Sequence, residues 1–520
     1  MKGRAVLSPV WTKPAVWSAG RDPLGMQATS VRLYRRLAPG LTNVTNRLRY
    51  FSFYCWAVEA YERQVHSGDV KRWQIFIRRA EATYALASNL VDAPQSLGMA
   101  GGDWAKRMIS ELASKPDWET VDLRPHTDRP GEGGQYLKAK GGNFGQFYVA
   151  SMLEVGMLAP FVGVPIVSEG YGRELARSFS TSISGAQHAL MDAVETGVAS
   201  REALSAIGKA AHPARIPMDS EEMALLRAYL LGERAQLGGS ELLRRSSAWL
   251  RLELMTRGIG LSDDQLLRRA LYARTAPDGS PIGITGETID GWRAYQANEL
   301  GHVSLECLLN GLITSLEDFG GSASPEAAIN AVLEAGLDSS ARAEGWSSWA
   351  REAAVGANED ELSEPVLKVL SQAAGGSGPV WGQAIRLLAT LWAKWSDNQH
   401  GLMHEISRGA GPGGRSLAGV LASLNSVSNG SVRDALTRVL QRHVVSEHMA
   451  IAGQKLAGAG TFTYHFLLAD GEMSEGQIGA YGYTNPRLQN LTRFLSDAGL
   501  HEDGRVTSTG ERFLSAYQAH

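Results

Sequence analysis

Apolar residues return every three or four positions along most of this chain, the period that places them on one face of an α-helix. The pattern predicts helices over 47–64, 72–90, 103–114, 144–158, 172–194, 200–210, 219–236, 240–257, 263–274, 288–316, 325–336, 361–373, 380–395, 415–424 and 430–456. In the first of these, Arg47, Tyr50, Tyr54, Val58 and Tyr61 fall at spacings of three and four. Thr42, Asn43, Thr45 and Asn46 stand just ahead, and their side chains suit the free N–H groups of a helix start. The expected fold class is mainly α, a multi-helix body.

Near the C-terminus the period changes. Residues 461–466 alternate as a strand does, Thr484-Asn485-Pro486-Arg487 opens a helix to Ala498, and Asp503-Gly504 makes a turn before Arg505 and a last short helix. Helix, hairpin and Thr-x-x-Gly exit resemble a winged-helix module, a small α+β unit. In that likeness Arg487, Gln489, Asn490 and Arg493 lie on the helix that faces a DNA groove and Arg505 on the wing, although such modules also dock proteins. Breaks rich in Gly, Pro and Ser at 127–143, 318–325, 374–379 and 409–414 suggest loops. They divide the chain into a basic N-terminal helical domain at 1–126, a helical body at 144–456 and the winged-helix-like module at 457–520. The longest break, 126–142, carries Arg129, Glu132, Lys138 and Lys140 among five glycines and reads either as a loop that orders on a ligand or as a plain connection. No fixed-period repeat is present, which argues against a solenoid.

With 520 residues and 44% hydrophobic content the chain has material for several domains. Charged or amide residues break every apolar run before the ~18 residues of a membrane span, so no membrane partner is expected. The first residues lack the apolar core of a secretion signal, and the expected location is cytoplasmic. Cys55 and Cys307 are the only cysteines; both sit in apolar helical patterns, as buried thiols do, and are too few for a cysteine-type zinc site. Charge is unevenly spread. Residues 1–80 hold 14 Lys and Arg against 4 Asp and Glu, a balance of +10, and the rest of the chain sums to -13. A basic end on an acidic body suits a polyanion, or else these arginines pair with acids elsewhere in the chain.

No Walker loop, kinase signature, nucleophile elbow or His-Glu-x-x-His is present, which sets aside the familiar phosphate-transfer and hydrolase motifs. Over 288–316, Tyr295, Glu299, His302, Glu306 and Asn310 share one face while Leu300, Cys307, Leu308 and Leu312 take the others. Glu299 and His302 in such a stripe can do acid/base work; the plainer reading is a solvated face with a neighbouring Glu–His pair. A second cluster, Asp397, Asn398, His400, His404 and Glu405, follows a helix with Trp392 and Trp395, and would need the first stripe to complete a metal site. No metal and no cofactor is expected.

The densest chemistry lies between Arg21 and Trp56. Arg32, Arg35, Arg36, Arg47 and Arg49 can hold phosphates, Tyr50, Tyr54 and Trp56 can stack a base, Asn43 and Asn46 can read its edge, and Asp22 can polarise a water or stabilise a cation. An enzyme that flips a base out of a duplex needs all four roles, and cleaving an N-glycosidic bond builds positive charge on the sugar that a fixed carboxylate stabilises. Aromatics at helical spacing equally suit the core of the first helix. The run Asp22-Pro23-Leu24-Gly25 through Pro39-Gly40-Leu41-Thr42-Asn43-Val44-Thr45 to Arg47-x-Arg49-Tyr50-x-Ser52-Phe53-Tyr54-x-Trp56 resembles the opening block of bacterial proteins of defence against phage. In size and composition the chain is also similar to the bacteriophage-replication-inhibition DNA glycosylases. The resemblance spans roughly the first 60 residues. It implies double-stranded, modified phage DNA as partner, excision of glucosylated hydroxymethylcytosine to leave abasic sites, and no cofactor. It carries no residue roles, so the catalytic candidates Asp22, Asn43, Glu299 and His302 rest on side-chain chemistry alone. Two alternatives stand beside it: a non-enzymatic DNA-binding sensor subunit, and a nuclease with a metal held by Glu299, His302, His400 and Glu405.

Overall fold

The computed structural model describes residues 21–42, 44, 46–94, 98–115, 117–129, 136–233, 239–259, 264–276, 278–282, 286–396, 401–411, 414–474 and 476–517. Helices dominate, and among the described residues the strands are two or three residues long and form four small antiparallel sheets. The fold is mainly α. The predicted helix at 172–194 is two, Tyr171–Ser182 and Gln187–Thr196, because the chain leaves helical geometry at Ile183. Gln27–Leu37, Ser339–Ala343, Trp346–Ala354 and Leu402–Ala410 are helices that the spacing did not announce. The strand expected at 461–466 falls later, at Leu467–Ala469, which pairs with Glu472–Ser474 across a left-handed Asp470-Gly471 turn. In the earlier stretch the His465 N–H is taken by a side chain, the His448 imidazole, rather than by a neighbouring strand.

Contact density separates two compact units. The first comprises Met1–Leu33, Leu271–Ala273 and Asp290–Thr484, and the second Tyr34–Ala270, Arg274–Ile289 and Asn485–His520. In the first unit the middle of helix Glu287–Ser315 is buried on every side: Leu300, Val303, Cys307, Leu308 and Leu312 are closed off, and so are the polar residues between them. Helix Gly378–Trp395 packs against Pro325–Gly336, Trp346–Ala354 and Glu359–Ser371, with Trp346 and Trp392 rings 5.6 Å apart. Side chains that bury this much apolar surface supply most of the folding free energy.

The second unit is built on two helix pairs, Tyr50–Ala60 with Tyr171–Ser182 and Val70–Asp92 with Arg201–Ala211. Its C-terminal part runs helix Leu488–Asp497, hairpin His501–Glu502 with Arg505–Val506, and helix Ser508–Ala516, all packed on helix Gly239–Thr256. Trp249 Nε1 donates to the Leu514 carbonyl at 3.0 Å, and the Arg251 Nε donates to Thr492 Oγ1 at 2.9 Å. No helix among the described residues is long and apolar enough to cross a membrane. Cys55 and Cys307 are free and buried.

Candidate acid–base cluster

The N-terminal block is mostly consumed by its own unit. Tyr50, Tyr54 and Trp56 are at most 2% exposed. They form an aromatic core in which Tyr50 stacks on Tyr54 at 5.4 Å and Phe53 on Trp56 at 6.0 Å. These rings are shut away from any base, which corrects the expectation of a stacking platform: a helix with apolar residues all round is placed in the interior. Arg49 is wholly buried and bound to Glu222 through Nε at 3.0 Å and a terminal nitrogen at 2.9 Å. Arg47 makes the same two-pronged contact with Asp497 at 3.1 and 2.7 Å. Burial outweighs the pull of Arg47 and leaves the Asp497 carboxyl raised to about 6. Arg36 pairs with Glu287 at 2.9 Å.

Asn46 is a bond-holder of the fold, its side-chain oxygen accepting from Asn490 Nδ2 and from Arg493, each at 2.7 Å. Arg487 reaches the Leu41 carbonyl and lies 4.4 Å over the Tyr34 ring. The face of helix Leu488–Asp497 expected to meet DNA is thus partly turned onto residues 34–46. Arg35 and Arg505 are exposed and make no ion pair among the described residues. Arg32 donates to the carbonyls of Gly409 and Ala410 in its own unit. Asn43 and His400 lie outside the described residues, as do Asp397 and Asn398 and the centre of the 126–142 break.

In the first unit the structure joins three of the four catalytic candidates. Asp22 adopts a left-handed backbone, φ 56, and Gly25 follows at φ 73; a side chain on Gly25 would meet Arg415 Cδ at 2.7 Å and Ile451 Cδ1 at 2.8 Å. This tight turn folds the Asp22 carboxylate back over the start of helix Gln27–Leu37, where its oxygens accept from the Gln27 and Ala28 N–H groups at 3.1 Å each. The Gln27 side chain then donates to Glu306 Oε1 at 3.3 Å. Behind Glu306 stands His302, with Nδ1 3.1 Å from Glu306 Oε2 and Nε2 3.2 Å from Glu299 Oε1. Glu299, His302 and Glu306 are all 0% exposed, which corrects the expectation of a solvated stripe. The stripe's ends are closed by backbone: Tyr295 Oη donates to the Thr484 carbonyl at 2.8 Å, Thr484 N–H to Glu299, and Asn310 Nδ2 to the Gly479 carbonyl at 3.0 Å.

Burial pulls the His302 imidazole down, but Glu306 and Glu299 outweigh it and hold it well above its ordinary range, so it stays protonated. Burial also pushes the Glu306 carboxyl up, against the pull of His302 and with a further push from the Asp22 charge. Lys455 closes the other side of the turn, its ammonium donating to the Arg21 and Asp22 carbonyls at 2.5 and 3.1 Å. Desolvation lowers the Lys455 pKa, with Asp22 and Glu306 acting against that. Beyond it, His448 accepts the His465 N–H on Nε2 at 2.8 Å and so presents its Nδ1 proton to the Pro23 carbonyl at 3.3 Å. Tyr481 Oη lies 2.7 Å from His465 Nε2. Burial, with His465 beside it, brings His448 down to about 3, and burial lowers His465 as well; both are neutral.

Gln27, Glu306, Lys455 and His448 were not singled out as catalytic by the sequence. Their positions are up to hundreds of residues apart, and only Glu306 had a local sign, its place on the stripe with Glu299 and His302. Glu405 is bound to Arg408 at 3.0 Å, and among the described residues no group of three or more His, Cys, Asp and Glu is disposed to hold a metal ion. In comparisons with known proteins, the chain matches no protein-family model, no curated protein and no solved structure.

Proposed function

We propose that this chain is a DNA glycosylase that hydrolyses the N-glycosidic bond of a modified cytosine in phage DNA, in the cytoplasm, with Asp22 as the carboxylate facing the sugar. The observation that carries the reading is the line of hydrogen bonds from the part-exposed Asp22 through Gln27 to Glu306 and His302, which Glu299 extends as an ion contact. As the base departs with its bonding electrons, positive charge grows on C1′ and the ring oxygen; a carboxylate held at a fixed place lowers that barrier, and water then adds at C1′ and gives up a proton that ends on the released base. Glu306, His302 and Glu299 are closed off from solvent and act as positioning residues, a buried ion cluster that fixes Gln27 and with it the Asp22 turn. The substrate class comes from the resemblance of residues 22–56 to the phage-defence block. The helix, hairpin and helix at 488–516 support a winged-helix reading, in which the exposed Arg493 and Arg505 meet the DNA backbone, with Arg35 as a further phosphate contact.

The sensor reading is favoured by one observation, the burial of Tyr50, Tyr54 and Trp56, which removes the base-stacking set from the N-terminal block. The two separate in one experiment. The purified chain is incubated in EDTA with unmodified, hydroxymethylated and glucosylated DNA, and aldehyde groups of abasic sites are then labelled. Abasic sites on modified DNA alone, with strands intact, are expected. Binding without abasic sites on any DNA leaves the sensor reading, and strand cutting that appears only when a divalent metal is added leaves a nuclease.

A further inference from the structure

In the first unit, three large apolar side chains stay exposed close to where the described chain begins. Leu456 is 40% exposed near the end of helix Glu447–Ala459, and Leu467 and Leu468 are 46% and 40% exposed on strand Leu467–Ala469. That strand is the open edge of a three-stranded sheet: it pairs with Glu472–Ser474, which pairs in turn with Ser322–Ala323. Asp470 and Gly471 both have positive φ, 52 and 81, as a two-residue hairpin turn requires, so Ala469 and Glu472 form the hydrogen-bonded pair beside it. Bonded and non-bonded pairs alternate along an antiparallel ladder, and Leu468 therefore turns its N–H and C=O away from Met473, toward the open edge. An edge with two exposed leucines and outward backbone groups is a template for one more strand.

The start of the described chain is tied to the same surface. Lys455, the residue before Leu456, donates to the Arg21 carbonyl. Two turns earlier on that helix, His448 joins the Pro23 carbonyl to the His465 N–H, two residues ahead of the strand. Residues 1–20, outside the described residues, join the molecule at Arg21. They include Val10, Trp11, Val16 and Trp17, carry the cations Lys2, Arg4 and Lys13, and contain no Asp or Glu. The exposed hairpin tip bears Asp470 and Glu472, so the charges are complementary. Val10-Trp11-Thr12 is a run of strand-forming side chains bounded by Pro9 and Pro14, and proline, with no N–H to give, ends ladder pairing on either side. Residues 13–20 reach at most about 26 Å when extended. The 13-residue helix between Lys455 and the strand is itself only about 20 Å long. A tether of this length holds the segment at an effective concentration of about a millimolar, which favours it over a free partner.

We propose that residues 1–20 dock on this surface of their own chain, with Val10-Trp11-Thr12 added as a fourth strand at the Leu467–Ala469 edge. The inference is independent of the glycosidic reading. Photo-cross-linking of the full chain tests it, with p-benzoylphenylalanine in place of Leu467 and, as a control, in place of the exposed Val355. The expected result is a cross-link from position 467 to a peptide within residues 1–20 of the same chain, in the single-chain band, and none from position 355. Val10→Asp with Trp11→Asp sets two charges against the leucines and lowers the yield roughly tenfold or more. Hydrogen exchange on the unmodified chain gives a second readout: the Leu468 amide is protected in wild type and exchanges roughly tenfold faster in the double variant. A cross-link from position 467 to a second chain, none to residues 1–20, a yield unaltered by the double substitution, or an unprotected Leu468 amide overturns the proposal.

Discussion

His302 holds a proton between two buried carboxylates, and this has a direct consequence for stability against pH. Its folded-state pKa lies above that of free imidazole, so the pairing contributes stability that is complete below about pH 6.5 and is lost as pH rises toward the folded value. The raised Glu306 carboxyl acts in the same direction. Unfolding by urea should therefore show stability falling from neutral to alkaline pH, with a steeper fall in wild type than in His302→Gln; equal slopes would show that His302 is neutral in the fold. Arg49 gives a second case. Removing one partner of a wholly buried ion pair strands the other charge, so Arg49→Ala should cost about 3–5 kcal/mol, whereas the exposed Arg35→Ala should stay within about 0.5 kcal/mol. Chemical denaturation checks both, and a loss of DNA binding by Arg49→Ala that tracks its loss of folded protein identifies Arg49 as structural. In the sequence, Arg35 and Arg49 look alike: their fates are set by partners such as Glu222, 173 positions away, which one-dimensional spacing does not reveal.

At the scale of the element, helix Glu287–Ser315 sits so deep that its glycines are contact points. A Cβ on Gly311 would come within 2.9 Å of the Trp381 indole, which is itself tied to the Gly375 carbonyl at 2.8 Å and has little room to move. A Cβ on Gly301 would meet the end of Leu417 at 2.8 Å, a side chain able to turn aside. Alanine gains about 1 kcal/mol over glycine in a helix, and overpacking a rigid neighbour costs about 1–3 kcal/mol. Gly311→Ala should therefore lower Tm while Gly301→Ala leaves it near wild type, and the same small shift in both would show that Trp381 yields. Most helices were legible because one apolar face repeats at the helical period. This helix was legible as a helix but not as a core element. A polar stripe normally marks solvent; here Tyr295, Glu299 and Asn310 instead satisfy the backbone of residues 479–484, a pairing that only the fold creates.

At the scale of the whole molecule, each compact unit is assembled from stretches far apart in sequence. Local periodicity carries no information on that interleaving. The charge imbalance was legible as a number, +10 over residues 1–80, but much of it is answered inside the fold by Asp497, Glu222 and Glu287. Of the candidate site, Asp22, Glu299 and His302 were found from side-chain chemistry and Glu306 from its place on their helical stripe, whereas Gln27 and Lys455, which connect to them, were visible only once the chain had folded. In the proposed reaction Asp22 works in front of that buried cluster. The most direct test is the yield of abasic sites on glucosylated DNA, in EDTA, by wild type, Asp22→Asn and Glu306→Gln, across pH and with Tm measured for each. Asparagine tolerates the left-handed backbone at position 22, so the turn is retained. The predicted result is activity in wild type, a loss of about 10²-fold or more in Asp22→Asn, and a displaced pH profile in folded Glu306→Gln. Abasic sites formed equally by Asp22→Asn and wild type, or by neither on any DNA, would contradict it.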